Sequence, residues 1–244
     1  MRPRSLKFLL NSKNLFLRKV YFFYNIYLRN FKYLNGGSQF NEDLYLNSFF
    51  NKDYRGKFVD LGCFHPTRDN NTFRFYKKNW SGINVDLNPI TIELFNFFRS
   101  KDININCAIS NKKGLKKMYF VDDLSPLNTL DYNHLKFLKK NFLFKNKDFK
   151  EKKIKTENIN NILKKYNFNK VDFLNIDLEG LEHEVIKSIN FKKFKINLIC
   201  LEILDHNRIS KNKSKKIHQI LKKNNFKYLK KIGVNSIFKN ISFN

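Results

Sequence analysis

The sequence predicts an α/β protein built on a doubly wound, mostly parallel sheet and preceded by a basic amphipathic helix. Three observations predict it. Short apolar runs, several ending in Asp or Gly, alternate with stretches of helical periodicity, the pattern of strands joined by crossover helices. Two apolar runs close the chain with no helix between them, which reads as a hairpin and gives the sheet one antiparallel member. Ahead of this pattern, residues 5–34 space their apolar side chains by three and four, and no acid appears before Glu42.

In that first segment Leu6, Leu9, Leu10, Phe16, Val20, Phe23, Tyr24, Tyr27, Phe31 and Leu34 form the apolar stripe. Lys7, Lys13, Arg18, Lys19, Arg29 and Lys32 occupy the other face. Two readings stand: a helix packed on the main domain (or a poorly ordered arm), or a basic helix lying on an anionic inner membrane face. Arg, Lys and Asn interrupt the segment too often for a secretory signal. Asn35-Gly36-Gly37-Ser38 is the clearest break, so 1–36 is read as the arm and 37–244 as the domain.

Within the domain, strands are expected at 57–62, 83–86 and 103–109, with helices at 71–80 and 90–99 between them. A polar, Lys-rich insert at 111–157 breaks the rhythm and reads as a substrate cap or a charged loop. A helix at 157–167, a strand at 171–176, a helix at 182–189 and a strand at 196–202 resume it. A helix near 214–224 and strands at 226–231 and 235–239 close the chain.

The 244 residues suffice for one domain of ordinary size, and 42% hydrophobic content supports a true core. Lys and Arg number 48 against 21 Asp and Glu, a net charge of +27. The excess accompanies abundant Asn, Ile and Phe and a single Ala, Ala108, as A/T-rich codons would produce. With no recognised nucleic-acid module, a specific nucleic-acid partner is not expected. Cys63, Cys107 and Cys200 form no CxxC pair and lie in or beside apolar runs, which points to free thiols in a reducing cytoplasm. The five His show no zinc-like spacing, and no metal is expected. No apolar run approaches the ~18 residues of a membrane span. The expected location is therefore cytoplasmic, peripheral to the inner membrane face if the arm binds lipid.

In doubly wound sheets ligands bind beyond the carboxyl ends of the strands. Asp60, Asp86 and Asp177 end candidate strands there, with Glu179 close behind. An acid ending the second strand suits a ribose diol, since one carboxylate accepts from both hydroxyls. The first turn carries the single Gly62 rather than GxGxxG, which disfavours a pyrophosphate and hence a dinucleotide oxidoreductase. A nucleoside without phosphate, S-adenosylmethionine, fits that turn better, its amino acid part and sulfonium lying near Asp60.

These residues carry a resemblance. Gly37-Ser38-Gln39 with Glu42-Asp43-Leu44, Phe58-Val59-Asp60-Leu61-Gly62-Cys63-Phe64-His65-Pro66, Asn71-Thr72 and Trp80-Ser81-Gly82-Ile83-Asn84-Val85-Asp86 resemble the FkbM family of S-adenosylmethionine-dependent methyltransferases. So do Val171-Asp172-Phe173-Leu174-Asn175-Ile176-Asp177-Leu178-Glu179-Gly180, Glu182, and Cys200-Leu201-Glu202. The likeness runs from about 37 to 240. It implies the Rossmann-like class I methyltransferase fold and O-methylation, often of sugars or polyketides. The chain departs from the family pattern at Asn41, Cys63 and Asn70.

The site then reads as follows. Asp60, Gly62, Cys63, Asp86 and Ala108 are the candidate cofactor residues, with Ser110 beside Ala108; the bland alternatives are a turn cap for Asp60 and strand-end packing for Ala108. Asp177, Glu179 and His65 are the candidate catalytic residues, since methyl transfer needs an aligned nucleophile and a group to take its proton. Glu179 alternatively caps the next helix, and His65 alternatively bonds only to backbone. Glu202 and His206 are secondary base candidates, while Glu182, His183 and Glu184 are assigned to a helix surface. Asp177, Glu179 and Glu202 offer hard oxygen ligands of the kind that suit magnesium, a minor alternative to the reading without metal. The expected acceptor is a small hydroxylated molecule or glycan. The competing function is a non-catalytic module that docks on a membrane or polyanion and keeps only the fold.

Overall fold

The computed structural model describes residues 6–11, 14–121, 125, 127–140, 148–203 and 208–243. The arm opens with a 3-10 turn (Leu6–Asn11) and continues in α1 (Leu15–Phe23), a π-helical stretch (Tyr24–Arg29) and a 3-10 turn (Phe31–Tyr33). The single helix expected over 5–34 is thus broken. Asn14 starts α1 by accepting from Phe16 N at 2.9 Å. Asn30 Nδ2 donates to the Asn25 carbonyl at 2.8 Å and competes with the helical ladder. The buried face also differs from the expected one. Leu10, Tyr21, Phe22 and Ile26 pack on Leu94, while Phe16, Val20, Phe23, Tyr27 and Phe31 of the predicted stripe are exposed. The segment has two apolar faces, and periodicity alone does not say which one the domain covers.

The domain follows as α2 (Glu42–Asn47), β1 (Lys57–Leu61), α3 (Phe73–Lys77), β2 (Ser81–Asp86), α4 (Pro89–Phe98), β3 (Ile103–Asn106) and β4 (Ala108–Ile109). Next come β5 (Gly114–Phe120), α5 (Tyr132–Lys140), β6 (Lys150–Glu157), α6 (Ile159–Lys165), β7 (Lys170–Ile176) and α7 (Glu182–Ser188). The chain closes with β8 (Lys195–Glu202), α8 (Arg208–Lys223), β9 (Phe226–Ile232) and β10 (Asn235–Asn240).

The main sheet has seven strands in the order β3-β2-β1-β7-β8-β10-β9. β1 pairs in parallel with both β2 and β7, and β10 runs antiparallel to β8 and β9, as the closing hairpin predicts. Period-two alternation gives each face its own core. Val59, Leu61, Leu174 and Ile176 point into one cluster with α6 and α7, while Phe58 and Phe173 point into the other with Phe75 and Trp80. Among the described residues, no helix is long and apolar enough to cross a membrane.

The run expected as one strand over 103–109 splits at Cys107, whose N–H donates to the Asp86 carbonyl at 3.1 Å. β3 stays in the main sheet, and β4 turns into a small second sheet of order β4-β6-β5. β5 and β6 lie within the insert. Their side chains are mostly exposed on both faces, so no alternation marks them in the sequence.

Candidate active site

A cavity of about 510 Å³ opens at the carboxyl ends of β1, β2, β7 and β8. Its floor is the turn after β1. Gly62 adopts φ +82°, and a Cβ there would meet the Asp177 carbonyl oxygen at 1.7 Å, so the ends of β1 and β7 approach only because this residue is glycine. Gly62 N–H donates to the Val85 carbonyl at 2.8 Å and ties the turn to β2. Cys63 follows, buried, with burial and then the charges of Asp86 and Asp60 pushing its thiol well up.

Asp60 lies at the floor and is fully buried. It accepts from Thr72 Oγ1 at 2.8 Å, Asn175 Nδ2 at 2.9 Å and Asn70 Nδ2 at 3.3 Å. Burial raises its pKa, and those donors together with Arg99 oppose the rise. Asp60 therefore fastens the 62–72 loop to β7, and the protein already occupies much of its acceptor capacity. Asp86 keeps more of its own free. Its Oδ1 accepts from Asn88 N at 2.8 Å and its Oδ2 from Phe64 N at 3.1 Å, which leaves acceptor positions on the cavity side. Burial pushes its pKa up to about 6. Ala108 lines the cavity at the start of β4, whereas Ser110 is buried with its hydroxyl 3.1 Å from Asn111 Oδ1.

Across the cavity, Asp177 N–H donates to the Leu61 carbonyl at 2.9 Å and the Asp177 carboxyl opens onto the space. The residue is exposed within the open cavity, and the protein atoms around it, followed by the charges of Glu179 and Glu182, push its carboxyl above its ordinary value. Glu179 has φ +51° and does not cap a helix. Its Oε2 lies 3.0 Å from His134 Nε2 on α5, close but without the alignment of a hydrogen bond, and its carbonyl accepts from Thr129 Oγ1 at 2.8 Å. The loop is held instead by Glu182, whose Oε1 accepts from Leu178 N at 2.9 Å and Gly180 N at 3.2 Å. Glu182 is buried and organises the site loop, which corrects its assignment to a helix surface.

His65 is also corrected. It is buried, lies outside the cavity lining, and sits between the arm and the loop. Nε2 is 2.7 Å from Asn25 Oδ1, and Nδ1 accepts from Arg68 N at 3.0 Å and Thr67 N at 3.2 Å. Both ring nitrogens are committed to protein partners, which fixes the neutral ring with its proton on Nε2 and leaves no free group for catalysis. His206 lies outside the described residues.

The insert stands over this edge. Ser125 and Asn128 line the cavity, and Lys213 on α8 donates to the Gly180 carbonyl at 2.9 Å and pairs with Asp131 just ahead of α5. Glu202 ends β8 with one carboxylate oxygen unpartnered. Burial and the charges of Asp177, Glu179 and Glu182 raise its pKa strongly. Asp177, Glu182 and Glu202 each place one oxygen within 4.8 Å of the others, a trio able to share protons or hold a hard cation. Glu182 thus stands in that grouping where Glu179 is expected from the sequence.

Residues 54–228, well over half of the chain, match the family model described as the methyltransferase FkbM domain. The chain belongs to the FkbM methyltransferase family. No curated protein matches it. A solved structure similar to it is the fibrillarin pre-rRNA processing protein of Methanococcus jannaschii. That likeness has 15% identity and a TM-score of 0.39, over 78% of this chain and 68% of that one, and bears no weight for fold or function. In this FkbM methyltransferase the strand-end acids were legible as a repeated pattern. Glu182, His134 and Arg99 were not. Only the spacing Glu179-Gly180-Leu181-Glu182, which returns a carboxylate to its own loop, offered a signal for the first.

Proposed function

We propose that this methyltransferase takes its methyl group from S-adenosylmethionine and places it on a hydroxyl oxygen of a small, uncharged, sugar-type acceptor. One observation carries the reading. The chain has 21 acids against 48 Lys and Arg, yet seven of those acids line this cavity, Glu42 and Asp69 joining the five described above. Arg68 is the single base among the described lining residues. A codon bias that scatters Lys over the surface does not build an acidic pocket. Desolvation raises the pKa of several of these carboxyls, and a bound sulfonium or ammonium group draws them back to the charged form, whereas a pyrophosphate raises them further and gains nothing. The lining also lacks the paired bases that would hold a phosphorylated or carboxylated acceptor.

The donor set fits this cofactor. Asp86, with acceptor positions left after Phe64 and Asn88, holds the ribose hydroxyls, and the cavity's volume is of ordinary ligand size. The bound sulfonium supplies an activated methyl group. Asp177 faces that positive charge. Glu179, beside His134, accepts the proton of the acceptor hydroxyl as its oxygen bonds to the methyl carbon in line and the carbon–sulfur bond breaks, leaving S-adenosylhomocysteine. The insert residues above the strand ends exclude water from the reacting oxygen.

Calorimetric titration with S-adenosylhomocysteine tests the reading, with NADH as the anionic control. Binding near ~10 µM that falls at least about tenfold in Asp86→Asn is the expected result. Binding of NADH in preference, or no binding of either by folded protein, overturns it. A product screen over neutral glycosides then tests the acceptor class.

A further inference from the structure

The arm carries a second apolar face that the domain leaves uncovered. Tyr21, Phe22 and Ile26 bury against α4, and Phe16, Val20, Phe23 and Phe31 are exposed to solvent, with Tyr27 at the border, where it is partly exposed and touches Phe98 edge-on. Phe16, Val20 and Phe23 stand four and three residues apart on α1, which places them on one side of that helix, and Tyr27 and Phe31 continue the exposure in the turns that follow. Each is between 39% and 69% exposed. Contiguous exposed aromatic surface of this kind marks an interaction site.

Charge identifies the partner. The first 41 residues hold eight Lys and Arg and not one Asp or Glu. Arg18 is engaged by Glu93 of α4, while Lys19, Arg29 and Lys32 are exposed beside the aromatic stripe. Two copies of the arm laid face to face would bring these cations together with no acid of the arm to offset them. An anionic lipid surface meets both features at once, with hydrocarbon for the rings and phosphate for the cations. Codon bias explains the Lys content but not the exposure of the Phe16, Phe23 and Phe31 rings to solvent.

We propose that this face of the N-terminal arm docks the protein onto an anionic bilayer. Phe16, Phe23 and Phe31 enter the boundary between headgroups and acyl chains, and Lys19, Arg29 and Lys32 lie at the phosphate level. The proposal is independent of the reaction proposed above, because none of these side chains lines the cavity.

The test is co-sedimentation of the full chain with phosphatidylcholine vesicles, with and without phosphatidylglycerol. Wild-type protein is expected to bind only the anionic vesicles, and less as salt rises. A variant carrying Phe16→Ser, Phe23→Ser and Phe31→Ser removes only exposed rings, so it keeps the fold by circular dichroism and partitions at least about tenfold less. A second variant, Lys19→Glu with Lys32→Glu, weakens binding by a similar factor. Absence of wild-type binding overturns the proposal, as does unchanged binding by the folded triple-serine variant. Equal binding to neutral vesicles removes the anionic lipid as partner. A dimer by light scattering that the serine substitutions dissolve makes a second copy the occupant and overturns it likewise.

Discussion

His65 Nε2 lies 2.7 Å from Asn25 Oδ1, and this contact joins the arm to the loop that carries Gly62, Cys63 and Phe64. Burial, with Arg68 and Arg29 nearby, lowers the pKa of His65 to about 3. An unfolded chain would titrate this ring near ~6.5. Between those values the unfolded state binds a proton that the native state refuses, so stability falls as pH drops below about 6.5, by ~1.4 kcal/mol per pH unit. Moving from pH 7 to pH 5 therefore costs about 2 kcal/mol through this residue, or roughly 4–8 °C in Tm for a chain of this size. His65→Gln keeps an N–H donor for Asn25 and has no such proton. Thermal melts at both pH values should show the variant losing several degrees less than wild type. Equal losses would mean that the ring is not held neutral by this packing.

Much of the main sheet was legible because its strands are buried on both faces. In runs such as 171–176, Val171, Phe173, Leu174 and Ile176 are apolar on both faces, with Asp172 and Asn175 the two interruptions, and Asp60, Asp86 and Asp177 mark where such runs stop. β5 and β6 were not legible. Lys117 pairs with Lys153, Lys116 with Ile154 and Lys152 with Met118, so cations and apolar residues face one another and no regular hydrophobic alternation records the pairing. The partners of His65 stand 35 and 40 residues earlier in a segment read for its apolar stripe, so its pinning role had no local trace. Local periodicity reports burial; it does not report which distant polar group completes a buried hydrogen bond.

Arg99 carries a second prediction. Its side chain is fully buried, and its Nε donates to Asp102 Oδ2 at 2.9 Å while Nη1 donates to Thr72 Oγ1 at 3.0 Å. The guanidinium lies about 5 Å from the ring centres of Phe58, Tyr76 and Phe95. Through Thr72 and Asn70 the same network reaches Asp60 at the cavity floor. Arg99→Met keeps volume but strands the Asp102 charge and removes the cation nearest Asp60. Urea titration should show a loss of about 3–5 kcal/mol, much of it recovered when Asp102→Leu is added. A loss below about 1 kcal/mol would show that water reaches and relieves these carboxylates.

The pair Glu179–His134 separates catalysis from positioning. Glu179 Oε2 faces His134 Nε2 at 3.0 Å, and its backbone is held independently by Thr129, so changing the side chain leaves the loop in place. Glu179→Gln removes the proton acceptor and keeps the shape. Turnover of the methylated product should fall by about 10²–10⁴-fold, with S-adenosylhomocysteine affinity unchanged within about twofold. His134 reaches the reaction only through Glu179: its Nε2 is near the carboxylate without the alignment of a hydrogen bond and aligns as a donor once the acceptor is bound. His134→Ala should lower kcat about tenfold with little effect on KM, and His134→Gln, which restores an N–H donor, should recover part of that loss. Unchanged turnover in Glu179→Gln would end its assignment as the base and turn attention to Asp177. Equal kcat in the Ala and Gln variants of His134 would reduce that histidine to packing beneath the insert.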